Sequence, residues 1–321
     1  HLQAKRGDVE LKTGGLTNRG GVVVGNQVQV ISHGLLDNRG GQLVGDRLTV
    51  GAQRLDNRET GLLAAGSDGL RLTLKADGAT QGQLLNSQGR LQSDGHLQLN
   101  GGQLDNSAGV LLGNSVGIDA AGLDNSAKGA VVAKAGGVEL DLHNGVLDNR
   151  GGTLDAGEQK LRASQLALLD NQGGTLKGKR LDVQGTTLDN RQGQLLAGAD
   201  GLSLDVGVTA GVLDNSALSG KAGLISSQAG TLKLVVDRLT NQAGKLYANG
   251  LLNSSGQVLD NRQGGEISAR QLDLNAAANL YNQGGLVESA GSLLLVGGSL
   301  DNSAGGRVRA LAGEQSRITL G

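Results

Sequence analysis

The chain has 321 residues, of which 57 are Gly, while Pro, Cys, Met, Trp and Phe are absent and Tyr occurs twice. Disulfides, thiolate metal sites and a cysteine nucleophile are thereby excluded, and the few aromatic residues make a globular core of ordinary composition untenable. The formal net charge of −1 comes from evenly spread acidic and basic residues, which argues against nucleic acid as a partner.

A repeat runs along the whole chain. The motif Leu-Asp-Asn-Arg begins at Leu36 and again at Leu55, and related Leu-x-Asn motifs recur at intervals of 19 to 29 residues. Fourteen asparagines anchor these motifs: Asn18, Asn38, Asn57, Asn86, Asn106, Asn125, Asn149, Asn171, Asn190, Asn215, Asn241, Asn261, Asn282 and Asn302. Such a period indicates a repeat architecture.

Leucine stands two positions before the anchoring asparagine in all fourteen repeats. These residues are Leu16, Leu36, Leu55, Leu84, Leu104, Leu123, Leu147, Leu169, Leu188, Leu213, Leu239, Leu259, Leu280 and Leu300. The residue between is Asp in ten repeats, and Gly lies three positions after the asparagine in eleven. Further along each repeat come short runs in which apolar and polar residues alternate.

Alternation at period two predicts short strands with one apolar face, because successive side chains of a strand point to opposite sides. Such strands must stack on the next repeat to bury that face. The pattern therefore predicts an all-β fold, a right-handed parallel β-helix of about fourteen coils of roughly 20 residues with three short strands each. We expect residues 1–321 to form a single repeat domain.

The Leu-Asp-Asn segment is predicted to be a corner of each coil. The leucines would form a structural core column, and the asparagines a structural corner column whose amides bond from coil to coil. We expect Asn to adopt a left-handed conformation and the following Gly to supply a second unusual dihedral. The Asp residues should face outward as a solvated edge with interleaved cations.

Longer intervals mark places where coils bulge, at residues 75–83, 206–211 and 216–221. Insertions in solenoids map to loops that often bind partners, so an adhesin segment contacting glycan or protein through these loops is an alternative function. They lack aromatic or Arg-rich anchors, and tolerated loop variation is the simpler interpretation.

No constellation for catalysis is evident. Parallel β-helices include polysaccharide lyases and hydrolases, but such sites need convergent carboxylates and aromatic platforms, so an enzyme is only a remote alternative. His1, His33, His96 and His143 are isolated in the sequence and are interpreted as solvated loop residues. No cofactor, metal site or catalytic residue is predicted, and no apolar run is long enough to span a membrane.

The motifs LDNRGGQLVGDRLTV, LDNSAGVLLGNSVGI and LDNRGGTLDAGEQKL resemble the filamentous haemagglutinin repeat of large two-partner secretion exoproteins. That family includes haemagglutinin adhesins and the stick-like proteins of contact-dependent growth inhibition. The resemblance covers Leu16 to about Leu320. Because the chain starts without a leader and its last repeat reaches the final residue, we expect a fragment of a longer exoprotein.

The resemblance implies a structural shaft that projects an adhesive or toxin-delivering module from a Gram-negative cell. It also implies export by an outer-membrane transporter and a place in the secreted or cell-surface fraction. A target-cell receptor or glycan is a further possible partner of such a protein. We expect a monomer with weak end-to-end association, since uncapped solenoid ends leave strand edges exposed.

Overall fold

The structure is a computed structural model that describes residues 1–4, 7–75, 82–206, 211–312 and 315–321, with only the backbone described at 203–206. Two compact units are present, His1–Gln159 and Lys160–Gly321. The described residues contain strands, turns and bends and no helix. The predicted all-β fold of stacked parallel strands, a β-solenoid of about fourteen turns, is confirmed.

The strands of the first unit are β1 (Leu2–Gln3), β2 (Val9–Thr13), β3 (Leu16–Thr17), β4 (Val22–Val24), β5 (Gln27–Ser32), β6 (Leu35–Asp37), β7 (Gln42–Ala52), β8 (Arg54–Asp56), β9 (Leu62–Leu74), β10 (Gln83–Leu85), β11 (Arg90–Ser93), β12 (His96–Asp105), β13 (Val110–Gly113), β14 (Ser115–Asp124), β15 (Ala130–Ala133), β16 (Val138–Asp148) and β17 (Thr153–Asp155). Those of the second unit are β18 (Lys160–Asp170), β19 (Thr175–Asp189), β20 (Gln194–Val206), β21 (Val212–Asp214), β22 (Leu224–Ser227), β23 (Leu232–Val236), β24 (Arg238–Thr240), β25 (Lys245–Asp260), β26 (Glu266–Tyr281), β27 (Leu286–Ser289), β28 (Leu293–Asp301), β29 (Arg307–Ala310) and β30 (Arg317–Leu320).

Each coil contributes to three parallel ladders. In the first unit, the first ladder pairs β3 with β6, β6 with β8 and β8 with β10, and then continues into the ends of β12, β14 and β16. The second ladder runs through β4, β7, β9, β11, β13 and β15, and the third through β2, β5, β7, β9, β12, β14 and β16. The longer strands bend and join two ladders.

The second unit repeats this arrangement. Its first ladder passes through the ends of β18 and β19, then β21, β24 and the ends of β25, β26 and β28. Its second ladder includes β22, β27 and β29. Its third ladder includes β23 and β30. The three-strand coil predicted from the sequence therefore recurs in both units.

The core lies between the ladders and consists mainly of Leu, Val and Ala. The leucines of the first ladder stack in register, as in Leu36 on Leu55 and Leu55 on Leu84. Twelve of the fourteen are at most 3% exposed, and Leu16 and Leu300 are half-buried. Burial of one such side chain contributes about 1.5–3 kcal/mol. The buried leucine column thus holds in place the Asp-Asn segment that follows each leucine.

Candidate functional site

Buried polar side chains concentrate in one column directly after the first ladder. The anchoring asparagines from Asn38 to Asn282 have side chains that are 0% exposed, Asn18 is 9% exposed, and Asn302 is exposed. A polar amide is buried at low cost only if its hydrogen bonds are made. The hydrogen bonds of this column therefore decide whether the corner is a structural element or leaves polar groups for a ligand.

Each asparagine bonds to its counterpart in the next coil. The Nδ2 of Asn18 donates to the Oδ1 of Asn38, and the Nδ2 of Asn38 donates to the Oδ1 of Asn57. Both donor–acceptor distances are 2.7 Å. The pattern continues to Asn149 in the first unit and from Asn171 to Asn302 in the second, at 2.7–2.8 Å. All these bonds point in the same direction along the chain.

The remaining polar groups of the corner are also satisfied. The backbone N–H of Asn38 donates to the carbonyl of Asp56 in the next coil over 2.7 Å. The Nδ2 of Asn38 also donates to the carbonyl of Gly41, and the N–H of Gly41 closes a β-turn onto the carbonyl of Asn38 at 3.0 Å. The side chain therefore caps its own turn while linking two coils.

The left-handed backbone conformation lies two residues after the asparagine. Positive φ angles occur at Gly20, Gly40 and Gly151, but also at Ala108, where φ is 54°. The prediction that the asparagine itself adopts this conformation is wrong, because its side chain is held inside the ladder. Non-glycine residues there carry a strain of about 1–2 kcal/mol.

The glycine after the turn is required by close packing and not by its dihedral angle. At Gly41, Gly109 and Gly152 φ is not positive. A Cβ atom at Gly109 would overlap the backbone carbonyl of Asn86 in the preceding coil and approach the Oδ1 of Asn106 to 2.6 Å. The predicted second unusual dihedral is therefore wrong at these glycines, where lack of space between coils explains the residue, and it is present only where the turn is longer, at Gly264 and Gly305 with φ of 81° and 80°.

Five of the ten Asp residues that precede an anchoring asparagine are paired with the arginine that follows it. Asp37 accepts two bonds from the guanidinium of Arg39, from Nε at 2.9 Å and from Nη2 at 2.7 Å. The same two-pronged pairing occurs in four other Asp-Asn-Arg motifs, at Asp56, Asp148, Asp189 and Asp260. Arg39 also lies 3.6 Å from Asp56 of the next coil. The predicted interleaving of cations is confirmed.

The prediction of a solvated Asp edge is too simple. Asp37, Asp56 and Asp260 are 7%, 5% and 8% exposed, because neighbouring guanidiniums and coils cover them. Where Ser follows the asparagine, its N–H caps the carboxylate, as from Ser107 to Asp105 at 2.9 Å. Where Gln follows, its amide reaches the carboxylate of the next coil. The residue after the asparagine thus compensates the acidic column in three different ways.

These contacts lower carboxyl pKa values. The side-chain hydrogen bond from Arg58 holds the pKa of Asp56 below its usual value, and that from Arg150 does the same for Asp148. At Asp260 burial alone would raise the pKa, but hydrogen bonds from Arg262 and Gln242 outweigh it and the pKa is lowered. The hydrogen bonds of the corner therefore favour the charged form of these three carboxyl groups.

One aromatic residue replaces Asp in this column. The guanidinium carbon of Arg262 lies 5.3 Å from the ring centroid of Tyr281 in the next coil, a cation–π distance. The ring takes the place of the next-coil carboxylate, while Arg262 keeps its pair with Asp260. The column is therefore a set of hydrogen-bonded side chains and not a row of free acids.

The histidines are exposed, but two of them belong to strands and not to loops. His96 begins β12, and its ring nitrogens lie 2.7 Å from Ser115 Oγ and 2.9 Å from Gln98 Oε1. His143 lies in β16, with its Nε2 2.6 Å from the Oδ1 of Asp119. Both are solvated as predicted, but their assignment to loops is wrong. No group of three or more metal-ligating side chains occurs in the described residues.

The three predicted bulges are only partly described. Residues 76–81 and 207–210 lie outside the described residues, which removes most of the first two bulges from view. The third forms a hairpin in which Leu218 and Lys221 exchange backbone hydrogen bonds of 2.9 and 3.0 Å, with positive φ at Ser219 and Gly220. The extra residues of this insertion thus lie outside the three ladders.

Three stacked parallel ladders and a buried asparagine column define a β-solenoid built from one repeated coil. The chain belongs to the family described as Haemagglutinin repeat, whose profile matches residues 2–79, 156–234, 208–284 and 265–313, well over half of the chain. Over 128 residues it is 39% identical to a protein named Deoxyribonuclease CdiA from Dickeya dadantii (strain 3937). That match covers 39% of this chain and 4% of the relative.

The chain therefore spans only a small part of the length of that relative. No solved structure matches the chain significantly. Within the described residues, no helix is both long enough and apolar enough to cross a bilayer.

Proposed function

We propose that this chain is a shaft segment of a large bacterial exoprotein, which projects an adhesive or toxin-delivering module away from the cell. The observation that carries the proposal is the asparagine column, which joins successive coils by the same hydrogen bond through each unit. Uniform coils suit a spacer, because the stability of each coil depends only on its neighbours and coils can be added without changing the rest.

The family supports this function, and the relative named Deoxyribonuclease CdiA agrees with a toxin-delivering exoprotein. We assign enzymatic activity of the whole exoprotein to regions outside these coils, since the corner directs its carboxylates into ion pairs with arginines. The asparagines and leucines of the first ladder act as structural residues in this proposal.

We further propose that an outer-membrane transporter of the two-partner secretion type exports the protein to the cell surface or the medium. The segment would act as a monomer, with weak end-to-end association through exposed strand edges such as that of β30. Apolar side chains near this edge are Leu311 at 60% and Ile318 at 48% exposure. A receptor or glycan on the target cell would be bound mainly by the projected module.

Removal of two coils in register tests the shaft function. Deletion of residues 84–122 joins Gln83 to Leu123, which then occupies the place of Leu84 above Leu55. The new neighbours are equivalent to the old ones, so we expect the chain to keep its β circular dichroism, and the full exoprotein to keep cell binding or target killing.

Deletion of residues 84–113 serves as the control, because it removes one and a half coils and places a third-ladder strand on a first-ladder strand. We expect this variant to lose cooperative melting. If the deletion in register folds normally but abolishes activity of the exoprotein, the removed coils carry function themselves and the shaft proposal is wrong.

A further inference from the structure

The outward face of the third ladder of the first unit contains a groove of about 200 Å³, and most of the residues that line it have polar side chains. Four of its residues form a square on neighbouring strands. Arg47 of β7 aligns with Gly69 of β9, and Thr49 aligns with Arg71. The two guanidinium side chains therefore stand on one diagonal, with a glycine and a threonine on the other.

The absence of a side chain at Gly69 makes this face concave. Its φ is +95°, and a Cβ atom there would lie 2.9 Å from the carbonyl oxygen of His96. One side of the groove is formed by His96 and Gln98, which are hydrogen-bonded to each other at 2.9 Å, while Ser115 holds the other ring nitrogen of His96. A side chain fixed at both ends is already ordered before a ligand arrives.

The cations of this groove are only weakly engaged. The Nη2 of Arg47 lies 3.5 Å from Asp68, and both side chains are about half exposed, at 53% and 51%. Among the described residues, none forms a side-chain hydrogen bond or ion pair with the guanidinium of Arg71. This differs from five of the six corner arginines, which form a two-pronged pair with the carboxylate of their own Asp-Asn-Arg motif. Arg47 and Arg71 are therefore available to an external anion.

A second groove of about 270 Å³ lies on the same strands, one step further along them. Gly51 follows Thr49 by two residues and Thr73 follows Arg71 by two, so both grooves belong to one outward face. His33 and Lys75 add a titratable group and a cation at its far side. A ligand on this face can extend along the strands from one groove to the next.

We propose that these two grooves bind an acidic polysaccharide, with the carboxylate or sulfate of one sugar between Arg47 and Arg71. Guanidinium groups match both anions with two parallel hydrogen bonds. The hydroxyls of Thr49 and Thr73 and the ammonium of Lys75 bond to hydroxyls of the same and the next sugar. Open grooves without a deep cavity suit a polymer that continues past them. Among the described residues that line the two grooves, none is an exposed large apolar side chain of the kind a lipid surface requires. The site is independent of the shaft function proposed above.

Calorimetric titration of the intact chain tests the proposal, with polygalacturonate and heparin oligosaccharides as probes and a neutral dextran oligosaccharide as the control ligand. We expect the acidic oligosaccharides to bind and the dextran not to bind. Arg71→Ala should weaken binding about fivefold, as for an exposed charge-assisted contact, and Arg47→Ala combined with Arg71→Ala should weaken it further. Asp68→Asn should strengthen binding, because it removes the nearest like charge.

Arg238→Ala is the matched control variant, since Arg238 is an exposed strand arginine of the second unit. It should leave binding unchanged, and all variants should melt like the parent chain because these side chains are exposed. Equal binding by the parent and the double arginine variant would overturn the proposal. So would inorganic sulfate that binds with the affinity of the oligosaccharides, since it would show an anion site without a polymer groove.

Discussion

The asparagine column and the aspartate column are adjacent in sequence but follow different rules. Asparagine is present in all fourteen repeats and is buried, whereas Asp occurs in ten and is replaced by Thr, Leu or Tyr in the others. The asparagine bonds to identical partners on both sides. The aspartate takes its partner from Arg, Ser or Gln in different coils.

This difference shows which property makes a position invariant. A primary amide offers both a donor and an acceptor, so it can continue a buried chain of hydrogen bonds without charge. A carboxylate accepts only, and must therefore remain near the surface beside a cation or an N–H group. Invariance follows from buried self-complementarity and not from polarity alone.

Exchange of the two side-chain types should have the largest effect on the free energy of unfolding. Asn106→Asp places a carboxylate between Asn86 and Asn125, where it cannot donate to the Oδ1 of Asn125. We expect a loss of about 3–5 kcal/mol in the free energy of unfolding, as for an unpaired buried charge. Asp105→Asn, one residue earlier, should cost less than about 1 kcal/mol because Ser107 still caps its oxygen. Urea melts would measure both, and equal losses would contradict the distinction between the columns.

The space beside the asparagine can be tested separately. Gly109→Ala introduces a methyl group against the carbonyl of Asn86 and should destabilise the chain by about 2–4 kcal/mol, since backbone must move. The control is Gly20→Ala, where a Cβ meets nothing within 4 Å and only the positive φ of 60° opposes it. We expect a cost of about 1–2 kcal/mol there. A larger cost at Gly20 would show that the dihedral, and not the space, matters.

The acidic column predicts a dependence of stability on pH. Because the pKa of Asp56 is lowered in the folded chain by its hydrogen bond from Arg58, its contribution is present above the unfolded carboxyl pKa. It is lost as the pH falls from that value through the lower folded pKa. Asp56→Asn should therefore flatten the acid limb of the plot of melting temperature against pH. An unchanged acid limb would mean that the ion pair does not contribute.

The smallest expected effect is a gain in stability. Ala108 occupies the left-handed position with φ of 54°, and glycine adopts this conformation without strain. Ala108→Gly should stabilise the chain by roughly 0.5–1 kcal/mol, after the entropy that glycine gains in the unfolded state is subtracted. Ala133→Gly, on the buried end of β15, is the control and should destabilise. Thermal melting of the pair would show whether the strain lies two residues after Asn.

The fold and the two columns could be predicted from the sequence because their causes are repeated. Leucine at one fixed distance from each asparagine indicates a stacked apolar column, and period two indicates strands. The site of the left-handed residue could not be assigned, since Gly, Ala, Gln and Glu all occur two positions after the asparagine. Glycine at this position in five of the fourteen repeats was the one feature of the sequence that indicated a left-handed residue there.

The reason for the glycine three residues after the asparagine, and the burial of the aspartates, could not be predicted from the sequence either. Both depend on the distance between coils, which brings the carbonyl of Asn86 against Gly109 and the guanidinium of Arg39 against Asp56. The groove at Gly69 has the same origin, because a glycine forms a concavity only where neighbouring strands supply the walls. Contacts between repeats cannot be read from a pattern within one repeat.

The direction of the asparagine bonds gives the stacked coils a polarity. One amide N–H of each such asparagine donates to the side-chain oxygen of the asparagine in the next coil. Aligned amides also polarise one another, so an added coil strengthens the bonds already made. A stack of coils therefore offers a free amide donor at one end and a free amide acceptor at the other, so its two ends are chemically different and each accepts a coil in one orientation only.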